Sequence, residues 1–245
     1  MKTTTFALSC LLLPLTLHAG TKEVAPPPAA VAEPETPLFS GLLSTAWDSA
    51  FVCEGRNFLE EGGMVSAYLQ VDSQLGLSAW VWASDSYETP YAEYDVGLMY
   101  KLVLGDFDLG AGWNYGHDYQ YDDNFTEFYS WLYYRKVQWL IPGARYKYGD
   151  FSGGTYLELS LESNLKCLGD KLTFTPSVIL GIDFGYATED VDDLNNIQLK
   201  LAASYMLTDR VALGGYVAYS YGLEDLEEHG DEDLGWGGVS LTVFF

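Results

Sequence analysis

The groups able to do chemistry in this chain are mainly carboxylates. Asp and Glu number 35 against 12 Lys and Arg, with 3 His, for a formal net charge of −23. That balance excludes a nucleic-acid partner, because affinity for a phosphate backbone rests on Lys and Arg. The 3 cysteines are too few for a disulfide scaffold or a zinc ribbon. A hydrolase needs a serine within hydrogen-bond reach of a histidine. Beyond the leader the histidines are His117 and His229, and neither has a serine beside it. The runs Glu224-Asp225-Leu226-Glu227-Glu228 and Asp231-Glu232-Asp233 lack the alternating ligands and closing bidentate Glu of a calcium loop. They read as solvated loop. No catalytic set, metal site or cofactor is expected.

A second set of charges does have a spacing. Asp48, Asp95, Lys101, Asp108, Arg145, Lys147, Glu158, Glu162, Asp183 and Lys200 fall on one parity of segments that alternate with a period of two. Small residues share that parity, among them Ser78, Gly97, Gly110, Gly112, Gly143, Ser160, Ser177 and Gly214. Trp80, Trp82, Ile141, Ile179 and Tyr216 share it too and would narrow the space. Charges separated by small side chains suit the wall of a water-filled pore. A surplus of carboxylates there favours cations.

Such a wall needs strands to hold it. The alternating segments are roughly 42–53, 64–72, 75–84, 92–104, 107–117, 126–135, 137–148, 155–164, 172–186, 196–207, 211–222 and 236–245. Most exceed the ~5–6 residues usual for soluble strands and reach the ~9–11 that cross an outer membrane. Tight turns such as Gly105-Asp106, Arg135-Lys136 and Thr208-Asp209-Arg210 alternate with longer acidic loops at 54–63, 85–91, 118–125, 149–154, 187–195 and 223–235. Tyr100, Tyr115, Tyr148, Tyr186, Tyr205, Tyr219 and Tyr221 lie toward strand ends, as interfacial girdles require. The fold expected is all-β: an antiparallel transmembrane β-barrel of about twelve strands, with short periplasmic turns and longer extracellular loops.

The ends carry address signals. Residues 1–19 read as a signal peptide, with Lys2, an apolar run from Phe6 to Leu17 and cleavage after Leu17-His18-Ala19. Residues 20–40 form a Pro-rich periplasmic linker around Pro26-Pro27-Pro28, and 41–245 form the barrel. At the other end Val239, Leu241, Val243 and Phe245 share a face. Gly238, Leu241, Val243 and the terminal Phe245 resemble the β-signal read by barrel-assembly machinery, with Trp236 where a polar residue is usual.

Four short motifs in order add a resemblance. Phe51-Val52-Cys53-Glu54-Gly55, Trp82-Ala83-Ser84, Glu93-Tyr94-Asp95 and Thr126-Glu127-Phe128-Tyr129 are similar to motifs of the TorF-type family of porins. The first departs from the family pattern, with Cys53-Glu54 in place of an aromatic-Arg pair. The resemblance implies a Gram-negative outer-membrane barrel acting as a porin, with no settled substrate.

The function expected is a narrow porin for small solutes or cations. About eight strands give a filled interior and about sixteen to eighteen an aqueous channel, so twelve lies between. A non-conducting structural or adhesive barrel is the alternative, and a lipid hydrolase a more distant one. Outer-membrane lipids, lipopolysaccharide and the assembly machinery are the partners. Oligomeric state is not readable. Two geometric expectations follow: Cys53 and Cys167 lie at opposite rims and are not bonded to each other, and Tyr148, Lys147 and Arg145 face Thr155, Tyr156 and Glu158.

Overall fold

The computed structural model describes residues 38–59, 61–229 and 233–245, so the signal peptide and nearly all of the linker lie outside the described residues. The chain enters with β1 (Phe39–Asp48), a two-stranded hairpin β2 (Val52–Cys53) and β3 (Arg56–Asn57), then β4 (Met64–Ser73), β5 (Leu77–Ser86) and β6 (Ala92–Leu104). The circuit continues through β7 (Phe107–Asp118), β8 (Asp123–Tyr134), β9 (Ile141–Gly149), β10 (Thr155–Glu162) and the short β11 (Leu165–Cys167). It ends with β12 (Leu172–Phe184), β13 (Asp192–Thr208), β14 (Val211–Gly222), α1 (Glu224–His229) and β15 (Leu234–Phe244).

Neighbours pair antiparallel all the way round. β1 meets β15 from Leu42↔Phe244 to Asp48↔Gly238, and β10 meets β12 from Tyr156↔Asp183 to Glu162↔Ser177. β11 resumes the line of β10 at Leu165↔Phe174, so twelve staves close the barrel. The break falls opposite Pro176, which has no N–H to donate. Closure leaves no open sheet edge, a requirement in lipid, where unpaired backbone groups find no water. No helix among the described residues is long and apolar enough to cross a membrane; in a barrel the strands do so.

Period two then sorts the side chains. Leu43, Trp47, Leu98, Leu132, Leu199, Leu201 and Val217 face out and are exposed, while Asp48, Gln70, Trp80, Asp95 and Tyr129 face in and are buried. Five of the large inward rings leave the interior open, because each lies over a glycine of an adjacent strand. Trp80 covers Gly97, Trp131 covers Gly110, Tyr129 covers Gly112, Phe125 covers Gly116 and Tyr133 covers Gly143. In every case ring and glycine are direct cross-strand partners. Trp80 therefore narrows the lumen less than its size implies.

Several boundaries differ from the sequence reading, each for a local reason. The first strand stops at Asp48 instead of residue 53, because Ala50, Phe51, Val52 and Cys53 are all buried and no longer alternate. The segment 137–148 begins its strand at Ile141, after a turn in which Leu140 N–H donates to Val137 C=O at 3.1 Å. The loop 118–125 shrinks to 119–122. Tyr186 leaves the girdle: Gly185, at φ 77°, turns the chain, and Tyr186 is only 2% exposed. Cys167 is free and exposed at the short-turn end while Cys53 is buried in the hairpin, so the two are not bonded. The β9–β10 ladder carries the expected register, Thr155↔Tyr148, Tyr156↔Lys147 and Glu158↔Arg145.

Candidate functional site

Two adjoining cavities, of about 570 and 890 Å³, occupy the barrel interior. Of the ten charged residues picked out by parity, Asp48, Asp95, Lys101, Asp108, Arg145, Lys147, Glu158, Glu162 and Lys200 line them. Asp183 also points inward but is occupied by the backbone. Its carboxylate accepts from the N–H groups of Tyr186 and Thr188, each at 2.7 Å, and holds the turn after β12.

The wall is uneven. From β6 to β10 it carries a ladder of ion pairs. Asp108 takes Lys101 at 3.0 Å and Arg135 at 3.1 Å, and Arg135 reaches Glu162 at 3.5 Å. Higher up, Glu158 takes Lys147 at 3.3 Å and Arg145 at 3.8 Å. Across the lumen the lining is small and polar, with Ser44, Thr173, Thr175, Ser204, Gly214 and Thr242. Lys200 adds a charge on that side, its ammonium 4.3 Å from the centre of the Tyr216 ring. The Tyr216 hydroxyl in turn donates to Asp48 at 2.6 Å.

The end of the lumen beyond Lys147 is closed by the chain itself. Residues 49–59 fold inward, and β2 and β3 form a hairpin with Glu54 and Gly55 at its tip, at φ 47° and 79°. Two positive φ values in sequence are those of a type I′ turn. Phe51, Cys53, Leu59, Met64, Tyr91, Tyr156 and Tyr186 make one buried cluster around it. At the tip the Glu54 carboxylate meets the Lys147 ammonium, and the Asn195 amide donates to the Glu54 carbonyl at 2.6 Å. Arg56 pairs with Asp225 of α1 at 3.1 Å and also donates to Thr188. Burial pushes the Glu54 carboxyl up from 4.5 to about 6, with Lys147 pulling it back and Glu158 and Glu127 adding to the rise.

The acidic run beginning at Glu224 is consequently more than solvated loop. It forms α1, whose Asp225 and Leu226 are buried, with Leu226 against Gly55; residues 230–232 lie outside the described residues. Sequence reading placed Phe51–Gly55 on a strand end and missed its inward fold. The signal was present in Phe51-Val52-Cys53, a continuous apolar stretch running into Glu54-Gly55, a pair suited to a tight turn. The family-like motifs converge here: Trp82 stacks on Phe51 at 5.8 Å, and Glu127 accepts from Asn114 at 3.1 Å and from Tyr186.

Of the two histidines beyond the leader, His117 has a described side chain, and its hydrogen-bond partner is Asn124. His117 faces outward at the rim, with Nδ1 3.0 Å from Asn124 Oδ1 and Tyr119 edge-on to its ring; the His229 side chain lies outside the described residues. Among the described residues no group of three His, Cys, Asp or Glu is arranged to hold a metal. Of the C-terminal residues, Gly238 faces Asp48 and Tyr216 within the lumen, while Leu241, Val243 and Phe245 are exposed on the outer surface.

Fold and interior together define a closed twelve-stranded barrel of the bacterial outer-membrane type, with a polar lumen. No protein-family model and no curated protein matches the chain. Solved structures do. The KdgM porin is similar with a TM-score of 0.58 and 10% identity, over 83% of this chain and 98% of that one. An outer-membrane channel from Pseudomonas putida F1 gives 0.52 and 11%, over 88% and 100%. LpxR from Salmonella typhimurium gives 0.54 and 9%, over 83% and 100%. At such identities the likeness is one of fold, and a fold alone does not choose among functions.

Proposed function

We propose that the chain is a narrow porin of the bacterial outer membrane, passing small hydrophilic solutes and cations ahead of anions. The observation that carries this reading is the lumen cavity of about 890 Å³, lined along one side by ion pairs and bounded by the hairpin. Charged side chains facing a roomy, polar interior are what a water path needs; a barrel built only as a scaffold would pack that space. The solved porin and channel of like fold support the same reading, as does the resemblance of the four ordered motifs to those of the TorF-type porins. On this reading residues 1–19 direct export, 20–40 tether the barrel on the periplasmic side, and Gly238, Leu241, Val243 and Phe245 present the assembly signal. Lipid and lipopolysaccharide surround the outer surface.

The second reading, a non-conducting structural barrel, is favoured by one feature, the hairpin that closes the lumen. Conductance of the purified protein in a planar bilayer decides between them. Discrete current steps support the porin. A heat-modifiable, folded barrel that stays silent even when residues 51–58 are replaced by a short Gly-Ser linker would overturn it.

A further inference from the structure

We propose that Asp48, Tyr216 and Lys200 form a lumen site for a small zwitterionic solute, one bearing both an ammonium and a carboxylate; this deepens the porin reading above and rests on it. Lys200 stands apart from the cations of the opposite wall. Lys101 and Arg135 are matched by Asp108, and Lys147 and Arg145 by Glu158. Lys200 makes no ion pair among the described residues, and its ammonium rests over the face of the Tyr216 ring instead. Asp48 has no ion pair among the described residues either. The Tyr216 hydroxyl holds it, donating to Oδ1 at 2.6 Å.

Strand register builds this arrangement. Asp48 on β1 and Tyr216 on β14 both lie directly across from Gly238 of β15. A Cβ there would run into the Asp48 carboxylate and the Tyr216 ring, so the glycine is what lets the two meet. The phenol then stands between acid and base, touching one through its hydroxyl and the other through its face. Ser177 and Ala218 lie opposite Lys200, and Ala202 lies opposite Tyr216. These small neighbours leave the ammonium room in the lumen. Asp48, Tyr216 and Lys200 line both cavities, so a solute moving from one to the other meets all three.

The charges choose the class of solute. A carboxylate fits Lys200, whose three N–H donors no acid of the wall takes up, and an ammonium fits Asp48. A simple anion must first pass the loops 87–91, 119–122, 150–154 and 185–191, which hold acids and no Lys or Arg, and it is repelled there. A simple cation is drawn to that mouth but finds Lys200 beside Asp48. A zwitterion has no net charge for the mouth to repel, and each of its ends meets an unpaired group of opposite sign.

The test is uptake of labelled L-alanine into proteoliposomes, by the folded full-length protein and by the variant with residues 51–58 replaced by a Gly-Ser linker. Uptake should saturate. Excess unlabelled glycine betaine, which carries both charges, should compete far better than propionate or tetramethylammonium, which carry one each. Lys200→Met and Asp48→Asn should each raise the half-saturating concentration roughly tenfold, the effect of losing one hydrogen bond to a charged group. Lys200→Arg, which keeps the charge, should stay close to wild type. Only barrels that remain heat-modifiable are compared, so a merely structural role for Lys200 would leave half-saturation unmoved. If KCl current flows but alanine uptake does not saturate, or Lys200→Met matches wild type, the site is refuted and the porin stands. If neither the full-length protein nor the linker variant passes KCl, the porin reading fails and the site falls with it.

Discussion

Arg145 shows how far the cost of one charge depends on where it faces. Its side chain is 11% exposed, 3.8 Å from Glu158 and over the Tyr129 ring at 5.8 Å. A surface ion pair there would be worth about 0.2–1 kcal/mol, but removing one partner of a buried pair costs about 3–5 kcal/mol. With a cavity on one side, the loss falls between those limits. Arg145→Glu should therefore still fold, yet convert to the unfolded gel band at a lower temperature than wild type. It also leaves Glu158 and Glu127 facing a third carboxylate, so the zero-current potential in a salt gradient should move further toward cations. A variant with unchanged selectivity in a conducting barrel would remove Arg145 from the ion path.

At the scale of elements, the rings laid over glycines keep the lumen open and can be tested one at a time. A Cβ at Gly112 would fall on the Tyr129 ring, so Gly112→Val should push that ring toward the lumen. Overpacking of this kind costs about 1–3 kcal/mol, and single-channel conductance should drop; equal conductance and equal heat stability would mean the ring has another place to go. The closing seam offers a second case. Phe245 exchanges backbone hydrogen bonds of 2.9 and 3.0 Å with Gly41, and its ring packs on that glycine. Deleting Phe245 should lower the yield of heat-modifiable protein in the outer membrane, and an unchanged yield would count against both the seam and the assembly signal. Staves like these were legible in the chain because lipid forces every second residue to be apolar: Leu157, Leu159 and Leu161 against Glu158 and Ser160 leave no other register for β10. The β9–β10 pairing was legible for the same reason, since a short loop and two parities suffice to align Arg145 with Glu158. The hairpin was not, because its partners Lys147, Tyr156, Tyr186 and Asp225 are remote in sequence and no local period points to them. The same holds for the shift at Gly181/Ile182, where Asn195 and Asn196 both turn inward.

For the whole molecule, the net charge of −23 is distributed in a way that decides how selective a pore could be. Inside the lumen several acids are already matched: Asp108 by Lys101 and Arg135, Glu158 by Arg145 and Lys147, and Glu54 by Lys147. The surplus sits at the loop end, where Glu88, Asp122, Asp123, Asp150, Glu189, Asp190 and Asp192 lie in or beside the connections. Charges at a mouth act through water and are screened by salt, over a Debye length of about 10 Å at 0.1 M and about 3 Å at 1 M. A pore selective through its mouth should thus prefer potassium over chloride at low salt and lose most of that preference at high salt. A pore selective through unmatched lumen carboxylates would keep it, because buried charges are screened far less. Zero-current potentials across a tenfold KCl gradient, taken at about 0.1 M and again at about 1 M, separate the two. We expect a cation-selective potential that shrinks several-fold on the salt-rich side of the series, and a potential of anion-selective sign at low salt would overturn the assignment of cations as the favoured ions.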